Sequence, residues 1–496
     1  MNMFQFNLKT LVAVIIVSFL LPSCQVQEKS GNIKDKTVKN VIIMIPDGCS
    51  IEALQLVRLY KSYPELASET VLSFDTLICG LVKASTGSTV MGESAANATA
   101  MYTGKKAKPA YLGVDTAGND AISFFTLARK QQNKAIGVVG TVGPEQATLS
   151  ATMVHTKNRG DYNNILKQLV YDSPDVFFAA GGKGYLNKDF KKKSKDKAQR
   201  SDGLNLENIL LNERNTALYF YKKDFDNIDT SVFNKVWWLG ECENACFPND
   251  FDKPDSVPSL AEMTSKAISI LKHNKNGFVL LVEGSKVDWA AHANDPVGLI
   301  SEFLAFEKAV ESALKFAVED KNTAVIVVPD HGTGGITIGN SNSNSGSDKS
   351  YNKLNAKDFG YPLFINKGKT PTGEGFHSIL KTKIDSIVVA DNLKNITDCS
   401  KSASVFLKNF ISKTYSIPVS QQDADMLIKN VSLNSLDFAD VFGPVYSKYT
   451  YTGWTTNGHT GEDLFIAIYH PHNYVTKGVI DNTSVATYVK TILNLK

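Results

Sequence analysis

The sequence has little excess charge of either sign. Its 53 lysines and arginines stand against 50 aspartates and glutamates, which leaves a formal net charge of +3 over 496 residues. So small an excess argues against a dedicated nucleic-acid-binding surface. The densest basic run, residues 191–197, is interrupted by Asp196 and is typical of a solvated loop. With 43% hydrophobic and 10% aromatic residues, the chain also lacks the composition of a disordered protein, and its length allows a large core.

Long apolar runs are missing near the N-terminus. Residues 11–21 are apolar but too few to cross a membrane as a helix. The run ends in Leu21-Pro22-Ser23-Cys24, which resembles a bacterial lipoprotein signal. We therefore expect a signal peptide at residues 1–23, a lipid anchor on Cys24 and a polar tether at residues 24–39. A plain secretory signal is the alternative, and both interpretations predict export, to the periplasm or the outer membrane.

Cysteines are few, since only six occur. Besides the one at the signal, Cys242 and Cys246 are spaced to close a small loop disulfide in an oxidising compartment. A zinc clip at that pair is less favoured, because no second ligand pair lies nearby in the sequence. Cys49, Cys79 and Cys399 are expected to be buried thiols.

Three apolar, strand-like runs each end in an acidic residue close to a glycine. The runs are residues 41–45, followed by Asp47; residues 278–282, followed by Glu283; and residues 324–328, followed by Asp330. A carboxylate after a strand is often only a helix cap. Three of them together indicate that acids gather at the carboxyl edge of one mostly parallel sheet, where ligands bind in open α/β proteins.

Helix-compatible stretches at residues 260–272 and 300–316 supply crossover connections between such strands. The sequence therefore predicts an α/β fold with a large, mostly parallel sheet. Residues 340–350 are rich in Asn, Ser and Gly and are expected to form a surface loop. The segment at about 339–452 carries helix-like stretches at 402–413 and 424–430 but no motif, and we interpret it as an insertion beside the active site.

The richest group of metal-binding residue types lies at residues 283–292. If the chain turns helical after Glu283, Asp288 and His292 share one helix face, because they are four residues apart. A carboxylate with imidazoles suits zinc, whereas carboxylate and hydroxyl oxygens suit magnesium. The stretch therefore indicates two kinds of metal site side by side.

Two further residues are candidates for contact with an anion. Ser94 stands where a helix of small residues begins, and a helix N-terminus points free N–H groups at an anion. Arg159 has a planar guanidinium that binds two oxygens of one phosphate well. Ser94 as a simple N-cap and Arg159 as a solvated loop residue are the alternatives, and spacing does not decide between them.

Five sequence blocks together resemble the alkaline phosphatase family from about Val38 to the C-terminus. The blocks are Ile43-Met44-Ile45-Pro46-Asp47-Gly48, Glu93-Ser94-Ala95-Ala96-Asn97-Ala98-Thr99-Ala100, Val282-Glu283-Gly284 with Asp288 and His292, Pro329-Asp330-His331, and Gly458-His459-Thr460-Gly461. They occur in the family's order with matching internal spacing. The resemblance implies a three-layer α/β/α sandwich for residues 40–496.

The resemblance also implies a role for each matching residue. One zinc ion would be held by Asp288, His292 and His459. A second zinc ion would be held by Asp47, Asp330, His331 and the Ser94 oxygen. Magnesium would be held by Asp47, Thr148 and Glu283. Ser94 would be the nucleophile, and Arg159, oriented by Glu93, would bind two phosphate oxygens.

Three positions depart from the residues common in this family. Glu93 stands where Asp is usual, Gln146 where relatives carry Asp or His, and Trp289 where many carry Lys or His. The longer Glu93 is expected to shift the position of Arg159. The neutral Gln146 and Trp289 are expected to change magnesium affinity and phosphate release.

The function that follows is hydrolysis of phosphate monoesters through a phosphoserine, with broad tolerance of the alcohol. A phosphodiesterase of the same superfamily would lack the magnesium ligands, and a sulfatase would need a different nucleophile motif. A third alternative, from a different class, is a surface-binding lipoprotein on a decayed enzyme fold. The sequence leaves open whether the protein is a monomer or a homodimer.

Overall fold

The computed structural model describes residues 36–63, 70–182, 186, 200, 202–241, 246, 248–339, 371–390, 400–415 and 417–496. The described part from Thr37 to Lys496 forms one unit. The predicted signal peptide, Cys24, nearly all of the tether, the basic run and the loop at 340–350 lie outside the described residues. Within them, no helix has the length and apolarity that crossing a membrane requires.

Ten strands form the central sheet. Across the sheet the order is β14 (Gly478–Asp481), β2 (Ile78–Lys83), β13 (Leu464–Tyr469), β8 (Thr323–Val327), β1 (Asn40–Pro46), β7 (Phe278–Gly284), β3 (Ala135–Val139), β4 (Val176–Ala180), β6 (Val236–Gly240) and β5 (Ala217–Tyr219). Only β13 runs antiparallel to its neighbours β2 and β8 among these ten. Two small antiparallel pairs stand apart, β9 (Gly332–Thr333) with β12 (His459–Thr460) and β10 (Thr337–Ile338) with β11 (Thr452–Gly453).

The described helices connect these strands and cover the sheet. They are α1 (Ile51–Ser62), α2 (Ser94–Thr103), α3 (Phe124–Gln132), α4 (Ala147–Ser150), α5 (Tyr162–Tyr171), α6 (Leu206–Asn208), α7 (Lys222–Asp226), α8 (Leu260–Leu271), α9 (Lys286–His292), α10 (Pro296–Asp320), α11 (Gly373–Ala390), α12 (Ser400–Tyr415), α13 (Gln421–Lys429), α14 (Ser435–Thr450) and α15 (Thr483–Leu493). A 3₁₀ turn at Asp75–Leu77 and a π-helical turn at Ile209–Glu213 complete the set.

The core has two halves, one on each face of the sheet. Every residue of β1 is buried, and its side chains alternate between the faces, as the period of a strand requires. Ile42 and Met44 pack with α8 and α10 on one face. Val41, Ile43 and Ile45 pack with α2, α3, α5 and α15 on the other. The expected three-layer α/β/α sandwich with a mostly parallel sheet is therefore confirmed.

The predicted crossover helices are also present. α8 begins at a capping box, in which Ser259 and Glu262 satisfy each other's backbone N–H groups. The stretch predicted at residues 300–316 lies inside the longer helix α10, which begins at Pro296 with Asp295 as its N-cap. Proline suits that first helical position, because it has no N–H group to leave unsatisfied.

Four helices, α11 to α14, occupy the described part of the segment expected to be an insertion. Helices α12 and α13 fall where residues 402–413 and 424–430 predicted them. Phe376 of α11 stacks on Phe442 of α14 with ring centroids 4.6 Å apart, and both belong to the core on the α8 and α10 face. The boundaries of the insertion stay a prediction.

The cysteine predictions have mixed outcomes. Cys49 is fully buried, as expected, whereas Cys79 is only partly buried because it lies on β2, near the edge of the sheet. Cys246 is buried, but Cys242 and Cys399 lie outside the described residues. The disulfide between Cys242 and Cys246 therefore stays a prediction.

Candidate active site

Three acidic residues stand at the carboxyl ends of three adjacent parallel strands. β1 lies between β7 and β8 and runs parallel to both. Ile45 of β1 lies opposite Glu283 of β7, so Asp47 follows at the same edge. Asp330 follows β8 there and accepts hydrogen bonds from the N–H groups of Gly48 and His331. The structure thus brings the three acids together as the sequence predicted, and Asp330 is not a helix cap.

A first group of ligand side chains surrounds Asp288. Helix α9 places Asp288 and His292 on one face, with Oδ2 of Asp288 3.3 Å from Nε2 of His292. The pairing of β12 with β9 brings His459 to the same place, with its Nε2 3.2 Å from Nε2 of His292. Gly48 has a φ of +66°, and a Cβ there would stand 2.4 Å from Oδ1 of Asp288. Glycine is therefore required where the turn after β1 approaches this group.

A second group surrounds His331, which is fully buried. Its Nε2 lies 3.4 Å from Oδ1 of Asp47 and 3.4 Å from Oδ2 of Asp330. These two oxygens are buried, and neither has a hydrogen-bond partner among the described residues. A buried polar atom without a partner is costly, so both oxygens are suited to a bound cation.

The two groups are adjacent. The rings of His331 and His459 stack with their centroids 3.9 Å apart. One donor atom each from Asp288, His331 and His459 lies within 4.8 Å of the others, and the same holds for Asp47, Asp330 and His331. Carboxylate oxygens and imidazole nitrogens at this spacing are the donor set that zinc takes. The residues present therefore fit two neighbouring zinc ions.

The electrostatics of the cluster agree with a cation there. Burial, followed by the nearby carboxylates of Asp330, Asp288 and Glu283, raises the pKa of Asp47 well above its usual value. Burial also opposes ionisation of Asp288, but the three histidines around it outweigh that effect and hold its pKa well below the usual range. Crowded acids of this kind are stabilised by divalent ions.

An oxygen-only group lies next to Asp47. Oε2 of Glu283 accepts a hydrogen bond of 2.6 Å from the Ser285 hydroxyl. Burial raises the pKa of Glu283 to about 7, although Ser285, Asp47 and Thr148 oppose the increase. The Thr148 hydroxyl is buried at the start of α4 and makes no hydrogen bond of ordinary geometry to any described residue. Two carboxylates and a hydroxyl suit magnesium.

Ser94 is the first residue of α2, but it is not the N-cap. That position belongs to Glu93, whose carboxylate accepts hydrogen bonds from the N–H groups of Ala95 and Ala96 at 3.1 and 2.7 Å. The Ser94 hydroxyl is left to point at the metal-ligand cluster, with Oγ 3.2 Å from Nε2 of His331. The simple capping role considered for Ser94 is therefore wrong.

Arg159 is neither buried nor freely solvated. Its side chain is 36% exposed, and its Nη1 donates to Oε2 of Glu93 at 2.8 Å. The backbone N–H of Arg159 donates to the carbonyl of Ala110 at 2.9 Å, which fixes the loop that carries it. The guanidinium is thus held through Glu93 at the N-terminus of the helix that carries Ser94.

Several groups that orient the candidate ligands were not found from the sequence. The Thr333 hydroxyl donates to Oδ1 of Asp288. The second ring nitrogens of His292 and His459 bond to the carbonyls of Asn457 and Gly92. Such bonds fix the orientation of a ligand ring and its tautomer. A sequence does not indicate which backbone carbonyls will accept a hydrogen bond from a ligand ring. Among these groups only Thr333 could have been suspected, because it stands two residues after His331.

Comparison with known proteins identifies the family. The family model for alkaline phosphatase matches residues 38–495. The chain belongs to the alkaline phosphatase family. Alkaline phosphatases 3 and 4 of Bacillus subtilis (strain 168) are each 30% identical to it, the first over 96% of this chain and 93% of the relative and the second over 99% and 98%. The chain is accordingly an enzyme of this family, which is metal-dependent and whose chemistry is consistent with phosphate monoester hydrolysis.

The fold agrees with solved members of the alkaline phosphatase family. The crystal structure of a cold-active alkaline phosphatase from Shewanella sp. superposes with a TM-score of 0.72 over 92% of this chain and 99% of that one, at 24% identity.

Proposed function

We propose that the protein hydrolyses phosphate monoesters through a phosphoserine on Ser94, with two zinc ions and one magnesium ion. The observation that carries the proposal is the position of the Ser94 hydroxyl, 3.2 Å from His331 at the start of α2. A serine at a helix N-terminus, next to a metal-ligand cluster and a tethered arginine, is arranged to attack a bound phosphoryl group.

The residues that would hold each ion are taken from the geometry and the family resemblance together. One zinc ion would be held by Asp288, His292 and His459, and the other by Asp47, Asp330, His331 and Ser94. Magnesium would be held by Asp47, Thr148 and Glu283. When bound, the ions would lower the pKa of the Ser94 hydroxyl, stabilise charge on the departing oxygen and activate water.

The chain's own groups position the substrate. Arg159 would bind two phosphoryl oxygens, and Glu93 would keep the guanidinium facing them. The Ser94 oxygen forms a bond to phosphorus as the bond from phosphorus to the alcohol oxygen breaks, and the alcohol leaves with a proton. Water then attacks the phosphoserine and releases inorganic phosphate and the free hydroxyl. Two in-line displacements give net retention at phosphorus.

The test is turnover of 4-nitrophenyl phosphate against bis(4-nitrophenyl) phosphate at alkaline pH, together with the zinc and magnesium content. We expect strong monoester turnover by the wild type and none by Ser94→Ala. The exposed Ser88, in the loop before Ser94, offers a matched control, because Ser88→Ala should keep full turnover. Preference for the diester would instead indicate a phosphodiesterase. Absence of turnover with both metals bound would favour a binding protein.

The site of action is a separate proposal. We infer from Leu21-Pro22-Ser23-Cys24 that the protein is exported and anchored through a lipid on Cys24. Expression of the full chain in a bacterium with metabolic palmitate labelling tests this. Label and membrane association should both be lost in Cys24→Ala. A plain secretory signal would instead leave the wild type unlabelled and soluble after export.

A further inference from the structure

A cavity of about 310 Å³ opens beside the ligand His292. Its apolar wall includes Trp289, Leu436 and Ala439. Asp437 and Asp440 of α14 line it as well and are exposed. The family resemblance and the proposed reaction give this cavity no role.

The cavity is lined by His292 but by neither Ser94 nor His331. Oγ of Ser94 lies 3.2 Å from Nε2 of His331. The ring of His459 stacks on the ring of His331. Nε2 of His292 lies 3.2 Å from Nε2 of His459. In an in-line displacement the leaving oxygen stands opposite the nucleophile. The alcohol part of a substrate attacked by Ser94 is therefore directed toward His292 and the cavity.

The two exposed carboxylates form no close ion pair, although His292 opposes the rise in the pKa of Asp440 that burial and Asp437 cause. Asp437 and Asp440 are three residues apart on α14 and so lie on one face. Neither has a lysine, arginine or histidine within 4.0 Å among the described residues. Asp437 accepts one hydrogen bond, from the Asn434 amide at 2.7 Å. Two unpaired negative charges beside an aromatic wall form an environment that attracts a cation.

Other acids that line the cavity are already compensated. Glu374 forms an ion pair with Lys286 at 2.7 Å. Asp295 accepts hydrogen bonds from the N–H groups of three residues at the starts of α10 and α11.

We propose that this cavity is a subsite for the leaving group, and that it selects phosphate monoesters of alcohols that carry a positively charged ammonium group. The ammonium would lie against the indole of Trp289 and between the carboxylates of Asp437 and Asp440. The subsite rests on the proposed function, because it receives the alcohol that Ser94 displaces.

The sharpest test uses two substrates of equal shape. Phosphorylcholine and 3,3-dimethylbutyl phosphate differ only in a nitrogen cation that replaces a carbon. With the metal-loaded enzyme we expect kcat/KM to favour phosphorylcholine by about tenfold, the effect of a cation bound by carboxylates and an aromatic ring at a partly shielded site. In the double variant Asp437→Asn, Asp440→Asn this ratio should fall close to one. Glu319→Gln, on the exposed face of α10, should leave the ratio unchanged.

The outcomes separate the two proposals. The subsite is overturned if the wild type has equal kcat/KM for the two substrates, or if the ratio is unchanged in the double variant. Turnover of 4-nitrophenyl phosphate would still support the phosphatase in either case. Loss of turnover on all three substrates by the metal-loaded wild type overturns both. Binding of the matching phosphonates to metal-loaded Ser94→Ala gives a readout without turnover. There too the cationic phosphonate should bind about tenfold more tightly than the neutral one.

Discussion

Arg159 donates to Glu93 across 2.8 Å, and the same carboxylate accepts the N–H groups of Ala95 and Ala96 at the start of α2. It also accepts the N–H of Ala110 at 2.8 Å. One side chain thus caps the helix that carries Ser94, the proposed nucleophile, and holds the guanidinium. The contact with Arg159 is made, and the expected shift of Arg159 by the extra methylene of Glu93 stays a prediction.

We expect Glu93→Gln to raise the inhibition constant for inorganic phosphate about tenfold, because an amide holds a guanidinium less firmly than a carboxylate does. Loss of the charged cap should also lower the free energy of unfolding by about 1 kcal/mol. Glu93→Asp keeps the charge and should lose much less affinity. In the double variant with Arg159→Ala, Glu93→Gln should add little further loss. Additive losses would show that the two residues act separately.

Lys286 of α9 is buried with its Nζ 2.7 Å from Oε1 of Glu374 on α11. Glu374→Gln takes one charged partner from a buried ammonium, which costs about 3 kcal/mol in typical proteins. We expect that decrease in the free energy of urea unfolding. The double variant Lys286→Met, Glu374→Met should recover most of it, because neither member of the ion pair is then left buried without the other. An equal loss in the double variant would contradict this account.

The buried acid Glu302 predicts a dependence of stability on pH. Burial raises its pKa from 4.5 to about 7, against the opposing effect of Lys286. The folded carboxyl binds its proton more tightly than the unfolded one does. The free energy of unfolding therefore falls as the pH rises from 4.5 to about 7.

Glu302→Gln removes that titration and keeps an acceptor for the N–H of Asp250. Between pH 4.5 and 8 the wild type should lose about 3 kcal/mol more stability than the variant. Urea unfolding of both proteins at the two pH values measures the difference. Metal loss at low pH is common to both proteins and cancels. Parallel pH curves would mean that Glu302 does not titrate in this range.

The strands and candidate ligands that the sequence predicted are each marked by residues close together in the chain. Continuous apolar runs end directly in Asp47, Glu283 and Asp330, and a spacing of four placed Asp288 with His292. Because parallel strands end at a common edge, these local signals were enough to predict that the three acids lie together. The assignments of His459 and Thr148 needed the family resemblance, since nothing near them in the chain signals a ligand.

What the sequence did not reveal depends on distant contacts. The reversal of β13 follows from its pairing with β2 and β8, which its own residues do not encode. The contact between Lys286 and Glu374 joins two segments separated by the residues of α10 and β8. The cavity beside His292 exists only because α14 packs near α9, so no motif marks it.

Gln146 stands at the N-cap of α4, two residues before Thr148, and its side chain makes no capping hydrogen bond. The family resemblance implies an acid or a histidine at this position, which would bring charge to the proposed magnesium site. We expect Gln146→Asp to change the magnesium requirement, because a carboxylate beside Thr148 and Glu283 attracts a divalent cation. Half-maximal activation in a magnesium titration should occur at a concentration about tenfold lower than for the wild type. Gln146→Asn, which adds no charge, is the control. A titration curve that coincides with that of the wild type would show that Gln146 does not influence the magnesium site.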